Sequence, residues 1–197
     1  MRPSSADRLL VRDELFAAPG SSLNLPIGAT RRIATVHVEL EPLQKVRSAL
    51  GGKVNDVVLC VATGALRELL LARGEDPPRQ GLRAGAVTGL TELAPPVLHA
   101  KVRAMSAQRL FDVTITNVPG PPRRLYAFGA PMIDIVPIVP LVAEHALGIA
   151  AVSYAGGVTF GPYADRATAP DLDVLGDGVV TSVREMGALA HPTAAAR

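Results

Sequence analysis

The stretch "HALGIAAVSYAGGVTFGPYAD", residues 145–165, holds two runs rich in Val, Ile, Tyr and Phe, separated by Ala155-Gly156-Gly157. Small residues that tolerate positive φ, set between β-branched and aromatic runs, predict a hairpin of two strands. Its neighbours decide what the hairpin belongs to. Upstream, "FDVTITNVPGPP" (111–122) alternates Phe111, Val113 and Ile115 with Asp112, Thr114 and Thr116. That is the period of a strand, and it runs into Asn117 and a Pro-Gly-Pro-Pro turn made rigid by its composition. "MIDIVPI" (132–138) reads as further strand. Downstream, Pro170-Asp171 opens a terminal amphipathic helix with Leu172, Leu175, Val179, Val183 and Met186 at spacings of three or four, and Asp171 is placed to cap it.

The N-terminal part supplies the matching layers. In "RRIATVHVEL" (31–40), Ala34, Val36, Val38 and Leu40 share one side and Thr35, His37 and Glu39 the other, as in a half-buried strand. "EPLQKVRSALGG" (41–52) reads as a short helix with Pro42 in its first turn, Leu43, Val46 and Leu50 on one face, and glycines at its end. "GGKVNDVVLC" (51–60) then starts a second helix, expected from about Val57 to Arg73, where Gly74 stops it. Its first half is apolar nearly all round, so the Asn55-Asp56 end is expected inside the protein and Cys60 in the core. One of these two polar residues suffices as a cap, which leaves the other with spare hydrogen-bonding capacity. The spacing does not decide which. From Gly74 to Leu93 the pattern weakens to a faint strand around Leu82–Val87, and "APPVLHAKVRAMSAQRL" (94–110) reads as a helix opened by prolines.

Strands alternating with helices, then a hairpin and a last helix, give an α/β layer: a mixed sheet covered by helices. A chain of 197 residues, 48% hydrophobic, can bury one substantial core. The net charge of +2, with basic residues scattered apart from Arg31-Arg32 and Arg123-Arg124, gives no stripe to follow a phosphate backbone. Aromatics at 4% give no stacking platform, so nucleic acid is not an expected partner. No apolar run reaches the ~18 residues of a membrane span, and the opening "MRPSSADRLLVRDELF" mixes charge with apolar residues. A cytoplasmic location is expected.

Four histidines, His37, His99, His145 and His191, stand apart from one another and from Cys60, without metal-ligand spacing. No metal is expected. G-x-S-x-G, the Walker loop and G-x-G-x-x-G are all missing, so motif reading finds no nucleophile. His145 stands before a strand, where it could orient a hydroxyl or simply make a structural hydrogen bond. Ser153 on that strand offers a hydroxyl to a cleft or to solvent.

Three stretches, "LNLPIGATRR" (23–32), "VNDVVL" (54–59) and "TNVPGPPRRLYAFGA" (116–130), stand in order before the hairpin and the helix after "APDLD". Together they resemble the C-terminal half of the bacterial wax ester synthase/acyl-CoA:diacylglycerol acyltransferase family, from about Leu23 to Leu189. The resemblance implies one lobe of a chloramphenicol acetyltransferase-like fold, two such lobes enclosing a tunnel in the family. It implies transfer of a fatty acyl group from acyl-CoA, a co-substrate and not a bound cofactor, to a diacylglycerol or long-chain alcohol hydroxyl. It makes Asn55 and Asp56, Asn117, Val118, Pro119, Gly120 and Pro121 motif residues that shape the tunnel wall, with His145 and Ser153 as candidates beside them. The family's catalytic base belongs to a His-His-x-x-x-Asp-Gly motif that these 197 residues lack. A deprotonating histidine contributes ~10²- to 10⁴-fold, so the resemblance implies an N-terminal catalytic lobe in trans, or a binding or scaffold relative, or an inactive remnant. Lipid substrates imply peripheral contact with a membrane or lipid body. Family members also carry additional strands where Ala84–Glu92 bridges the interval here, an internal deletion that threatens the sheet with exposed edges. The expected division is a helical or flexible lead-in over 1–22, the lobe over 23–190 and a disordered tail over 191–197.

Overall fold

The computed structural model describes residues 21–77, 84–86, 112–141 and 144–190. The hairpin is its centre: β7 (Leu147–Tyr154) and β8 (Gly157–Asp165) pair antiparallel through Ala155 and Gly156, both at positive φ. β4 (Val113–Pro119) lies parallel to β7, and β3 (Ala84–Ala86) lies parallel to β4. On the far side of β8, β1 (Arg31–Ile33) and β2 (Val36–Glu39) pair with it antiparallel, giving the order β3-β4-β7-β8-β1 with β2 also on β8. The single strand expected over 31–40 is thus two short ones. The reason lies opposite the break: Pro162 of β8 has no N–H to donate, although its carbonyl still accepts from Ala34 N–H at 3.0 Å.

Three helices, α1 (Leu40–Leu50), α2 (Val54–Ala72) and α3 (Leu172–Ala190), provide the residues that pack on one face of this sheet. Val113, Ile115, Ile149, Ala151, Val158 and Phe160 meet Leu43, Val46, Val58, Leu66, Leu175 and Val179 in one core. α2 and α3 pack closely, because a Cβ on Gly178 would lie 2.9 Å from Ala65 Cα and one on Gly64 2.3 Å from Ser182 Oγ. Leu50, expected on one face with Leu43 and Val46, is exposed beside the terminal Gly51, and Cys60, expected in the core, is exposed on α2. α2 therefore has a solvent-facing stripe in its first half that its composition hides.

The opposite face of the sheet is also covered. After a short hairpin, β5 (Tyr126–Ala127) with β6 (Ala130–Pro131), "MIDIVPI" (132–138) forms no strand and crosses that face as an irregular strap. Thr159 donates to Asp134 Oδ1 at 2.6 Å, and Tyr154 donates its hydroxyl to the Met132 carbonyl at 3.0 Å. Val139 sits where a Cβ on Gly148 would lie 2.6 Å from its Cγ1. This corrects the one-sided alternation expected of β4: Thr114 is buried as well as Val113 and Ile115. The helix expected over 94–110, most of the lead-in and the tail lie outside the described residues.

Two aspartates tie the layers together. Asp171 does not cap α3 through its side chain as expected, because its carboxylate takes a two-point grip from Arg73, at 2.7 Å to Nε and 2.6 Å to Nη2. This joins the end of α2 to the start of α3, and Arg73 also donates to Ser22 Oγ at 2.7 Å. Asp165, fully buried, accepts from the amides of Gly28, Ala167 and Thr168, from the Thr168 hydroxyl and from Arg31. Burial alone would raise its pKa, but the amide and hydroxyl donors outweigh burial and hold it below the ordinary 3.8. The Arg73 guanidinium similarly lowers Asp171.

Both carboxyls are depressed in the folded state, so the stability they add is complete above the unfolded value of 3.8. It is lost as pH falls through their lower folded values. Urea titrations at stepwise lower pH should show stability dropping below about pH 4. In Asp165→Asn, weaker at neutral pH, that acid slope should be shallower; an unchanged slope would mean that Asp165 does not carry it.

Candidate functional site

The site is built where α2 begins. Lys53, at the N-cap, has extended backbone (φ −113°, ψ 159°) and no acceptor in its side chain. Asp56, in the first turn, reaches back instead and accepts from Lys53 N–H at 2.7 Å. Gly52 makes room for this: it holds φ +85°, and a Cβ there would fall 2.9 Å from Asp56 Oδ2. So the helix starts three residues earlier than the sequence pattern indicated, with both polar residues inside it. Asp56 is exposed, contrary to the expected buried end. It caps the helix, where the dipole also favours its charge.

Asn55, half-buried, is left free to bond elsewhere, and it accepts from Asn117 Nδ2 at 3.1 Å across 62 residues of sequence. The two motifs meet through their asparagines. Asn117 is delivered there by β4, which continues through Val118 and Pro119 where a turn was expected. The parallel ladder sets Asn117 beside Ala151, Val118 beside Val152 and Pro119 beside Ser153. Alternation puts Asn117 on the helix-covered side with Ile115, while Val118 turns to the opposite face and is exposed.

Gly120 and Pro121 form the turn proper. Gly120 N–H donates to Ser153 Oγ at 3.2 Å, and the Pro121 carbonyl accepts from Ala155 N–H at 3.1 Å. A Cβ on Gly120 would lie 2.1 Å from the Ser153 carbonyl oxygen, so glycine is required for this approach. Ser153 is therefore neither an idle surface serine nor wholly a ligand group. It holds the turn, and its own hydroxyl hydrogen remains available to donate.

Asn55, Asn117, Pro119 and Ser153 line one cleft of ≈ 350 Å³, walled by Val54, Val58 and Val158 and rimmed by Leu40 and Gln44. It opens at the carboxyl ends of β4 and β7 and at the N-terminus of α2, the end of an α/β sheet where ligands commonly bind. Its polar side chains are three amides, Asn55, Asn117 and Gln44, and the Ser153 hydroxyl, set in apolar walls. They can orient a ligand but cannot take a proton at neutral pH. A depression of ≈ 420 Å³ beside α1 and Ala190 is more open and contains none of the motif residues.

His145 does not join this group. It is buried at the start of β7, and the eight residues to Ser153 span roughly 26 Å of extended chain. The length of β7 separates it from the cleft. Sequence reading also missed a cluster on the strap face, where His37 Nδ1 lies 3.2 Å from Thr159 Oγ1 and 3.7 Å from Asp134 Oδ2. Both partners approach the same ring nitrogen, so the cluster does not form a proton relay. Its members lie at 37, 134 and 159, and no spacing rule joins them. Among the described residues there is no group of side chains able to hold a metal ion, and no helix is long and apolar enough to cross a membrane.

Residues 79–187 match the family model of the WS/DGAT C-terminal domain, and residues 10–58 match that of the wax ester synthase/diacylglycerol acyltransferase catalytic domain. "Probable diacyglycerol O-acyltransferase tgs2" of Mycobacterium tuberculosis (strain ATCC 25618 / H37Rv) is 25% identical over 229 residues, covering 87% of this chain and 50% of its own. Those 229 residues outnumber all 197 of this chain, so the relative carries inserted residues within the matched span. The chain spans about half the length of the curated relatives it matches. Among solved structures, the wax ester synthase/diacylglycerol acyltransferase from Marinobacter aquaeolei VT8 superposes with a TM-score of 0.74 at 24% identity, over 96% of this chain and 58% of that one. A condensation domain of the enacyloxin polyketide synthase shares the fold at a TM-score of 0.52 and 14% identity, over 98% of this chain and 50% of that one.

Asp56→Ala removes a cap at an exposed helix end and should lower unfolding free energy by about 1 kcal/mol, measured by urea titration. Gly120→Ala drives a methyl into the backbone of β7 and should cost more, about 1–3 kcal/mol. A larger loss from Asp56→Ala than from Gly120→Ala would contradict this assignment of the two motifs.

Proposed function

We propose, because the chain belongs to the wax ester synthase/diacylglycerol acyltransferase family, that residues 23–190 serve as the C-terminal lobe of an acyl-CoA-dependent O-acyltransferase. The reaction moves a fatty acyl group from acyl-CoA to the hydroxyl of a diacylglycerol or a long-chain alcohol. The observation that carries this reading is the meeting of Asn55 and Asn117 over a cleft that Ser153 also lines. In that cleft the apolar walls suit an acyl chain, and the amides and hydroxyl suit an ester or thioester oxygen.

The acceptor oxygen must lose its proton as it attacks the thioester carbonyl, and the coenzyme A thiolate leaves and regains a proton. No group lining the cleft can accept that proton. The base therefore comes from a separate histidine-bearing lobe, and this chain contributes wall, orientation and exclusion of water. Such a lobe works in the cytoplasm, meeting its lipid acceptor at the surface of a membrane or lipid body. A second reading, a binding relative without turnover, is favoured by the same lack of a base among the residues lining the cleft.

Radiolabelled acyl-CoA with a diacylglycerol or hexadecanol tests the reading. The chain alone should form no ester, and the chain mixed with the separately expressed catalytic lobe of the Marinobacter enzyme should form it. Turnover by the chain alone would overturn the division of labour, and turnover in neither would favour the binding relative.

A further inference from the structure

Of the two arginine pairs in the sequence, Arg31-Arg32 is spent within the fold, Arg31 on Asp165 and Arg32 on Asp173. Arg123-Arg124 is not. Both are exposed, and neither forms an ion pair among the described residues, although Arg67 and Arg73 are matched to Glu68 and Asp171. Two like charges side by side gain nothing from the fold here, and each guanidinium presents a planar fork of donors that suits a phosphate.

Their backbone is pinned beside the cleft. The Pro121 carbonyl accepts from Ala155 N–H at 3.1 Å, and Leu125 N–H donates to the Tyr154 hydroxyl at 2.8 Å. Residues 121–125 are thus fastened at both ends to the last residue of β7 and its neighbour. Tyr154 follows Ser153, and the pair follows the proline-rich turn after Pro119; Ser153 and Pro119 both line the cleft. Pro121 and Pro122 fix φ just before the pair, so the two side chains are displayed from a stiff backbone at low ordering cost.

A thioester held with its acyl chain between the apolar walls and its carbonyl at the amides must send the rest of its thiol out at the open edge, where this segment runs. Coenzyme A carries a pyrophosphate and a ribose phosphate at the far end of its flexible arm. We infer that Arg123 and Arg124 bind the phosphates of the coenzyme A part of the acyl donor, an inference that rests on the acyltransferase reading above. Lys53 is a third exposed cation, at the α2 side of the cleft, but Asp56 accepts from its backbone N–H and sets a negative charge beside it. The 123–124 pair has no such neighbour within ion-pair distance among the described residues. Neither a diacylglycerol nor a long-chain alcohol carries an anion, so the pair also tells donor from acceptor.

Calorimetry on the 197-residue chain tests this with octanoyl-CoA and octanoyl-pantetheine, which share acyl chain and thioester while only the first carries phosphate. The variant is Arg123→Gln/Arg124→Gln. Arg166→Gln/Arg184→Gln, exposed and outside the cleft lining, is a control of equal charge loss. Wild type and control should bind octanoyl-CoA alike, and the 123–124 variant about tenfold or more weakly, with an unchanged melting temperature. The difference should shrink as salt is raised. All three proteins should bind octanoyl-pantetheine equally. Undiminished binding of octanoyl-CoA by the variant, equal weakening toward both thioesters, or no binding of octanoyl-CoA by wild type overturns the proposal. So does loss of binding to phosphatidylglycerol vesicles in the variant while octanoyl-CoA binding stays intact, which assigns the pair to a lipid headgroup. Arginine-dependent binding of octanoyl-CoA with no ester formed in the mixed-lobe assay leaves this site standing and overturns the acyltransferase reading instead.

Discussion

The parallel pairing of β4 with β7 is the constraint on which the rest depends. Parallel strands end together, so the pairing brings Asn117 and Pro119 level with Ala151 and Ser153 at one edge of the sheet. A slip by one residue would turn Asn117 to the opposite face and break its contact with Asn55. Gly120 fixes the register from beyond the strand, because its close approach to the Ser153 carbonyl admits no side chain. The cleft is thus a consequence of register: α2 offers Asn55, the ladder offers Asn117, and Ser153 locks the turn between them.

The same sheet is used on both faces, and the two faces do different things. The helix side holds the apolar core and opens into the cleft at its edge. The other side is sealed by a strap whose hydrogen bonds point inward and whose apolar side chains point outward. The helix layer is joined by Arg73 and Asp171, which link α2 to α3, and the strap face carries exposed Ile133, Val136 and Ile138.

Much of this was legible from residue patterns, and the failures share a cause. The 145–165 hairpin and the terminal helix announce themselves because period two and period 3.6 persist over whole elements, and Ala155-Gly156 supplies the turn chemistry. The start of α2 was misplaced because Lys53 has no capping side chain; the capping acceptor, Asp56, lies inside the helix and reaches backward. "MIDIVPI" has strand composition without strand partners, since Asp134 and Met132 are bonded to side chains of the sheet beneath. The burial of Thr114 likewise follows from that covering strap. Of the site, the motif residues were legible, but the contact between Asn55 and Asn117 and the remoteness of His145 depend on which strand lies beside which, and one chain's pattern does not state that.

The central claim is that the two asparagine motifs are one physical unit. A double-mutant cycle on Asn55→Ala and Asn117→Ala, read as unfolding free energy, measures it directly. The account predicts a coupling of about 0.5–1.5 kcal/mol, the worth of a partly buried hydrogen bond. Additive single effects would contradict it.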